Sequence, residues 1–176
     1  MRKPISVLIC LLFLALSLRA EITVPEKMTF CGMEITLNAG ARASITEIMK
    51  PYTKSPAYFQ TIVQRFQLHI NWVEKAFDDE NVPRDLTFIG MQESSFRGDA
   101  VSSSGAVGYW QMKEPAARAA GLTVNSEVDE RKHLYLSSRG AARYFTLCNK
   151  DFNNWVYAII GYNRGPAGAL SHIDKK

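Results

Sequence analysis

The apolar positions of this chain fall into helical stripes with few breaks. From Tyr58 onward, Phe59, Ile62, Val63, Phe66, Ile70, Val73 and Phe77 recur at intervals of three and four, which predicts one long amphipathic helix over 58–77. Asp78, Asp79 and Asn81 end it before Pro83. Proline suits a first helical position, and Leu86, Ile89, Gly90 and Glu93 then follow at i, i+3, i+4 and i+7, predicting a second helix that starts at Pro83. Farther on, Ala141, Phe145 and Cys148 share a face of a helix that Ser137 or Ser138 can cap. Trp155, Ala158, Ile159 and Tyr162 form the stripe of the next helix. Short helical turns are expected near Tyr109 and over Pro115–Ala120, the latter closed by Gly121. One segment alternates instead: Met33, Ile35 and Leu37 against Glu34 and Thr36 predict a short strand after a turn at Gly32. The expected fold is mainly α with a minor strand near the N-terminus, without repeats or an internal linker.

Composition changes this picture at the N-terminus. Arg2 and Lys3 precede an apolar run over 5–18, the pattern of a secretory signal, and the run is short for a membrane span, which needs roughly 20 apolar residues. Residues 1–20 are therefore read as a leader, with cleavage after Ala20 or after Ser17, or as an uncleaved anchor. The exported part is expected in the periplasm or cell envelope, associated with the membrane only if the leader stays attached. Bulky Ile9 before Cys10 argues against lipidation there. Removing the leader's three cations leaves 18 basic against 17 acidic side chains, so the overall charge of +4 carries little argument for nucleic acid.

Export into an oxidising compartment permits a Cys31–Cys148 disulfide, although two such cysteines can equally be buried and unpaired. His69, His133 and His172 are scattered and no C-x-x-C pair occurs, so no metal site is expected.

The densest chemistry lies between Glu93 and Met112. The helical spacing puts the Glu93 carboxylate on the face to be buried, near the negative end of a helix dipole, where its pKa should rise and the group can hold a proton to donate. Gly105 and Gly108 allow tight turns and close approach to a ligand; Tyr109, Trp110 and Gln111 offer stacking surface and amide hydrogen bonds. These groups suit a saccharide-cleaving site.

Five blocks occur in order: VPRDLTFIGMQESSF, AVSSSGAVGYWQM, GL followed by VDER, SSRGAARYF and GYNRGPAG. In this order they resemble the lytic transglycosylases that cleave bacterial peptidoglycan, in particular the membrane-bound type D branch of the soluble lytic transglycosylase and goose-lysozyme superfamily. The resemblance implies a lysozyme-like domain with helices around a glycan cleft, preceded by an N-terminal segment over 21–80 and forming the catalytic core over 81–176. It implies Glu93 as the catalytic acid, and Ser102, Gly105, Gln111, Tyr162 and Asn163 as substrate-binding residues. Without it, Tyr162 reads as a core aromatic. Peptidoglycan strands are the implied partner, and no cofactor is implied. Chains resembling this family usually continue well past the Tyr-Asn-x-Gly motif, so this sequence is read as a fragment or as a minimal version with a more open cleft. His133-Leu134 stands where the family usually has Asp-Pro, and Tyr109-Trp110 departs from its commonest pair.

Glycosidases commonly use two carboxylates, about 5–5.5 Å apart for retention or about 6.5–9.5 Å for inversion. Only Glu93 is nominated here, because Asp99, Glu114, Glu127, Asp129 and Glu130 fall in loops and turns where capping and surface charge account for them. The resemblance supplies the alternative of a single acid with the muramoyl C6 hydroxyl as nucleophile. Two rivals stand beside it: a muramidase in which water attacks, and a non-catalytic peptidoglycan-binding or assembly module.

Overall fold

The structure is a computed structural model that describes residues 23–173. It opens with a hairpin in which β1 (Lys27–Phe30) runs antiparallel to β2 (Met33–Thr36), with Lys27 opposite Thr36 and Phe30 opposite Met33. The alternation in sequence identified β2; β1 carries no such alternation, and its first three residues are exposed. Cys31 and Gly32 turn the hairpin with φ of 49° and 75°, the left-handed pair that a two-residue loop requires. The Cys31 N–H donates to Asp85 Oδ2 at 2.6 Å and so fastens the hairpin to a segment more than fifty residues away.

Helix α1 (Ala39–Lys54) was not anticipated. Asn38 caps it by accepting from the Ala41 N–H at 2.8 Å, yet none of its residues is fully buried, so no core-facing stripe marks it in sequence. The long helix expected over 58–77 is two helices, α2 (Pro56–Gln67) and α3 (Ile70–Asp79). The chain turns between them at the exposed Leu68 and at His69, whose φ of −120° leaves the helical range. Phe66 and Val73 are buried on either side of the turn, with Ile70 packed beside them, so the apolar spacing passes through the corner undisturbed.

Pro83 does not begin a helix either. It is extended (φ −55°, ψ 133°) and precedes a 3₁₀ turn over Arg84–Phe88, which feeds the short helix α4 (Ile89–Ser94). The expected face nevertheless points inward, since Leu86 and Gly90 are buried and Glu93 is half-buried. The segment near Tyr109 is a turn between the bridge partners Val107 and Met112, not a helix. Helix α5 (Glu114–Ala119) follows as expected, with Gly121 at φ 80° just past its end.

A 3₁₀ turn over Glu130–Lys132 leads into α6 (Leu134–Asn149), capped by His133 Nδ1, which accepts from the Leu136 N–H at 3.2 Å. Ser137 and Ser138 are not caps. Both lie buried inside the helix and donate back to the Leu134 carbonyl. Asn154 caps α7 (Trp155–Arg164), and after Gly165 the chain continues as α8 (Pro166–Ile173).

Helices α3 and α7 both pack on α6. Between them Phe77, Phe145, Leu86, Phe96, Ala141 and Ala158 are sealed from solvent around Trp110. A side chain at Gly161 would come within 2.9 Å of Cys148, so glycine is what lets α7 lie this close to α6.

Cys148 is thus enclosed in a helix interface while Cys31 sits in the hairpin turn, and both are free thiols; the disulfide does not form. Burial pushes each thiol pKa up to about 12. No helix among the described residues is long and apolar enough to cross a membrane. The leader over 1–20 lies outside the described residues.

Candidate active site

Glu93 is the next-to-last residue of α4, and its position is set by how that helix ends. Ser95 and Phe96 both take left-handed φ values, 54° and 56°, and the N–H groups of Ser95 and Phe96 bond back to the carbonyls of Met91 and Gly90. The double reversal swings the Phe96 ring under the helix. A Cβ on Gly90 would stand 3.0 Å from that ring, so Gly90 is the space Phe96 occupies. There Phe96 meets Phe66, Tyr109 and Trp110, with ring centroids 5.0, 5.1 and 6.4 Å away.

The loop after α4 is fastened to it by polar contacts. Ser94 Oγ donates to the Tyr109 carbonyl at 2.7 Å and accepts from the Arg97 N–H at 2.9 Å. The loop then folds into a small ladder, Val101 with Val107 and Val107 with Met112. Gly108 (φ 82°) is the tight point: a Cβ there would lie 1.9 Å from the Arg131 carbonyl oxygen, leaving room for no side chain. Arg131, paired with Asp129 at 2.7 Å, reaches back to donate to the Met112 carbonyl at 3.2 Å. Trp110 closes the unit, its Nε1 donating to Ser138 Oγ at 3.0 Å while its carbonyl accepts from the Tyr162 hydroxyl at 2.7 Å.

Against this frame Glu93 opens onto a cleft of about 370 Å³, lined by Gln111, Met112, Lys113, Pro115, Ala116, Tyr144, Tyr162, Asn163, Arg164 and Gly165. The structure therefore brings together four of the expected site residues: Glu93, Gln111, Tyr162 and Asn163. Two of these spend their polar groups internally. Gln111 Nε2 donates to the carbonyls of Ala100 and Gly108, and the Tyr162 hydroxyl is committed to Trp110 while its ring stacks on Phe145 at 4.4 Å. Asn163 Nδ2 donates to the Ile159 carbonyl at 3.1 Å, which leaves its amide oxygen for a ligand.

Ser102 and Gly105 do not line the cleft. Ser102 closes the serine-rich turn by accepting from the Ala106 N–H at 3.0 Å, and Gly105 provides that turn's left-handed residue. Tyr144, Lys113 and Arg164 line the cleft without having been singled out. Tyr144 is legible in retrospect as the residue one turn from Ala141 and Cys148 on α6, set edge-on to Tyr162 at 5.6 Å.

Burial raises the Glu93 pKa above the ordinary glutamate range. Burial also pushes the Tyr162 hydroxyl well up, with the nearby Glu93 carboxylate adding to it, so the phenol stays protonated as a donor. Of the other acids considered from sequence, Glu127 does not line the cleft and four are engaged elsewhere. Asp99 pairs with Arg97, Glu114 with Arg118 and Asp129 with Arg131, while Glu130 accepts from the Thr123 N–H. Glu93 is the single carboxylate lining the cleft among the described residues.

The family model of the transglycosylase SLT domain matches residues 70–176, which is more than half of the chain. The chain belongs to this family. The SLT-domain match begins at the first residue of α3 and takes in every element of the cleft. Over 145 residues, 82% of its length, the chain is 25% identical to membrane-bound lytic murein transglycosylase D of Escherichia coli K12, and equally so to that of the O6:H1 strain. It spans 32% of the length of these relatives. Among solved structures, it is similar to an inactive glutamate-to-glutamine mutant of lytic transglycosylase Slt from Pseudomonas aeruginosa. That likeness has a TM-score of 0.54 and 21% identity, over 73% of this chain and 24% of that one. It establishes a shared fold for the SLT domain.

Proposed function

We propose that this SLT domain is an exported, lyase-type enzyme that cleaves the β-1,4 bond between N-acetylmuramic acid and N-acetylglucosamine without consuming water. The observation that carries the reading is a lone, half-buried carboxylate with a raised pKa at the floor of an open cleft. Protonated Glu93 gives its proton to the glycosidic oxygen as the bond from C1 to that oxygen breaks. The resulting carboxylate then takes the proton of the muramoyl C6 hydroxyl, O6 bonds to C1, and a 1,6-anhydro ring closes. Glu93 ends the cycle protonated, so one residue serves as acid and then base. A raised pKa suits both halves of this task. The amide oxygen of Asn163 and the faces of Tyr144 and Tyr162 are available to hold the sugar, while Ser94 and Trp110 keep the acid and the opposite wall in register.

A hydrolytic muramidase of the two-carboxylate kind would need a second acid facing Glu93, and the described cleft lining supplies none. The distinction is chemical and can be read from products. Purified peptidoglycan digested by the protein should yield muropeptides ending in 1,6-anhydromuramic acid by mass analysis. Reducing N-acetylmuramic acid ends would instead show that water attacks. Glu93→Gln preserves the shape of the group but not its transferable proton, so cleavage should fall by at least about 10²-fold while strand binding persists. Binding without cleavage by the unaltered protein would favour the non-catalytic module.

A further inference from the structure

Two cations line the cleft beside its single carboxylate. Lys113 stands at the start of α5 and Arg164 at the end of α7, both exposed, and among the described residues neither is in an ion pair. Among the described residues Lys27 and Lys150 are likewise in no ion pair but do not line the cleft, whereas other cations of the fold are paired. Arg84 is held by Glu74 and Asp78, Arg139 and Arg143 by Glu80, and Arg131 by Asp129. Even Glu114, the acidic neighbour of Lys113, is turned to Arg118 at 2.9 Å. The two cations do not serve the acid either. Glu93 is shifted upward by burial, the direction opposite to that imposed by an ammonium or guanidinium in contact with it. They occupy the cleft wall with their charge uncommitted.

We propose that Lys113 and Arg164 form an anion-reading rim, by which the cleft selects glycan strands carrying carboxylates over the same strands with those carboxylates masked. This rests on the muramoyl-glycan reading above and deepens it. The sugar rings of such a strand are neutral; its negative charge sits on the lactyl group of muramic acid or, when a peptide is attached there, on that peptide. A flexible ammonium and a planar guanidinium on adjoining walls can meet a carboxylate on either. Because both side chains are solvated, the gain is that of exposed ion pairs, and salt should screen it.

Three substrates separate the cases: intact strands with peptides, amidase-treated strands that keep only the lactyl carboxylate, and the treated strands with that carboxylate converted to a neutral amide. Both Kd and kcat/KM are measured for each, at low and high salt. The unaltered protein should prefer carboxylate-bearing over masked strands by about 3- to 10-fold at low salt. That preference should collapse in Lys113→Gln/Arg164→Gln and persist in Lys113→Arg/Arg164→Lys. Intact strands outperforming treated ones would place the recognised carboxylate on the peptide, treated strands outperforming intact ones would place it on the lactyl group, and equality would show that the rim accepts either. Equal handling of masked and unmasked strands would overturn the rim, as would a preference that survives in the double Gln variant. So would an equal loss in Lys27→Gln/Lys150→Gln, which removes the same charge outside the cleft. A Kd preference without cleavage would retain the rim and remove the enzymatic reading; cleavage without preference would do the reverse.

Discussion

The two ends of this chain are held together by different means. Over residues 23–69 only Ile62 and Phe66 are fully buried, and α1 buries nothing completely. From Val73 to Ala158 the chain encloses Phe77, Leu86, Phe96, Trp110 and Phe145 in one continuous core. The N-terminal layer meets the rest at few points, and several converge on the corner just past Glu93. The Tyr58 hydroxyl contacts Ser95 Oγ at 2.8 Å, Arg65 donates to the Ser95 carbonyl at 2.6 Å, and Phe66 packs on Phe96. The difference separates two jobs: the core packs the cleft walls, and the outer layer braces the turn that follows Glu93.

Graded substitutions can break this contrast. The largest effect should come from Trp110→Ala, which empties the middle of the core and removes the donor to Ser138 Oγ; unfolding in denaturant should show a loss of about 3–5 kcal/mol. Arg65→Ala should cost less, about 1–2 kcal/mol for a charged hydrogen bond, yet lower the cleavage rate more than its stability deficit explains. An Arg65→Ala enzyme with full activity would reduce the N-terminal layer to an appendage. Ile48→Ser, at a position 66% exposed on α1, should change stability by less than about 0.5 kcal/mol. A large loss there would mean that α1 carries more of the fold than its burial indicates.

A fourth experiment sharpens the contrast by its sign. The densely packed part contains a group that opposes folding once ionised, because the Glu93 pKa is raised by burial. Below the ordinary glutamate range the group is protonated in both folded and unfolded chains. As pH rises, the unfolded chain loses this proton first, so the stability the protonated group contributes disappears as pH passes through the raised folded value. Glu93→Gln cannot ionise. Its melting temperature should therefore match or exceed that of the unaltered protein at neutral pH, with the margin shrinking in acid; a margin that widens in acid would contradict the burial of the carboxyl.

What sequence could and could not reveal follows the same division. Glu93 and the stripes of α6 and α7 were legible because burial imposes a helical period on those residues, whereas Tyr162 read as core by that period and as a site residue only through the resemblance. Helix α1 lacks that constraint and so leaves no period to read. The corner at Leu68–His69 was invisible for the opposite reason: both helices keep their apolar phase across it. Ser137 and Ser138 misled because a hydroxyl suits a cap, while His133 supplied the acceptor through a ring nitrogen. Ser102 and Gly105 lie in the serine-rich turn outside the cleft lining, and a motif alone does not distinguish a residue that lines the cleft from one in the loop beside it.

Gly108 has a consequence for motion. The Arg131 carbonyl fills the space a side chain at Gly108 would need, so the two backbone segments lie against each other, and Arg131 in turn donates to the Met112 carbonyl. The strand-like loop and the 3₁₀ turn before α6 should then open to solvent as one cooperative unit. In hydrogen–deuterium exchange, the amides of Val107 and Gly108, which bond to Met112 and Ala100, would become labelled in step with those of Lys132 and His133. The wall that holds Gln111 would breathe as a single panel.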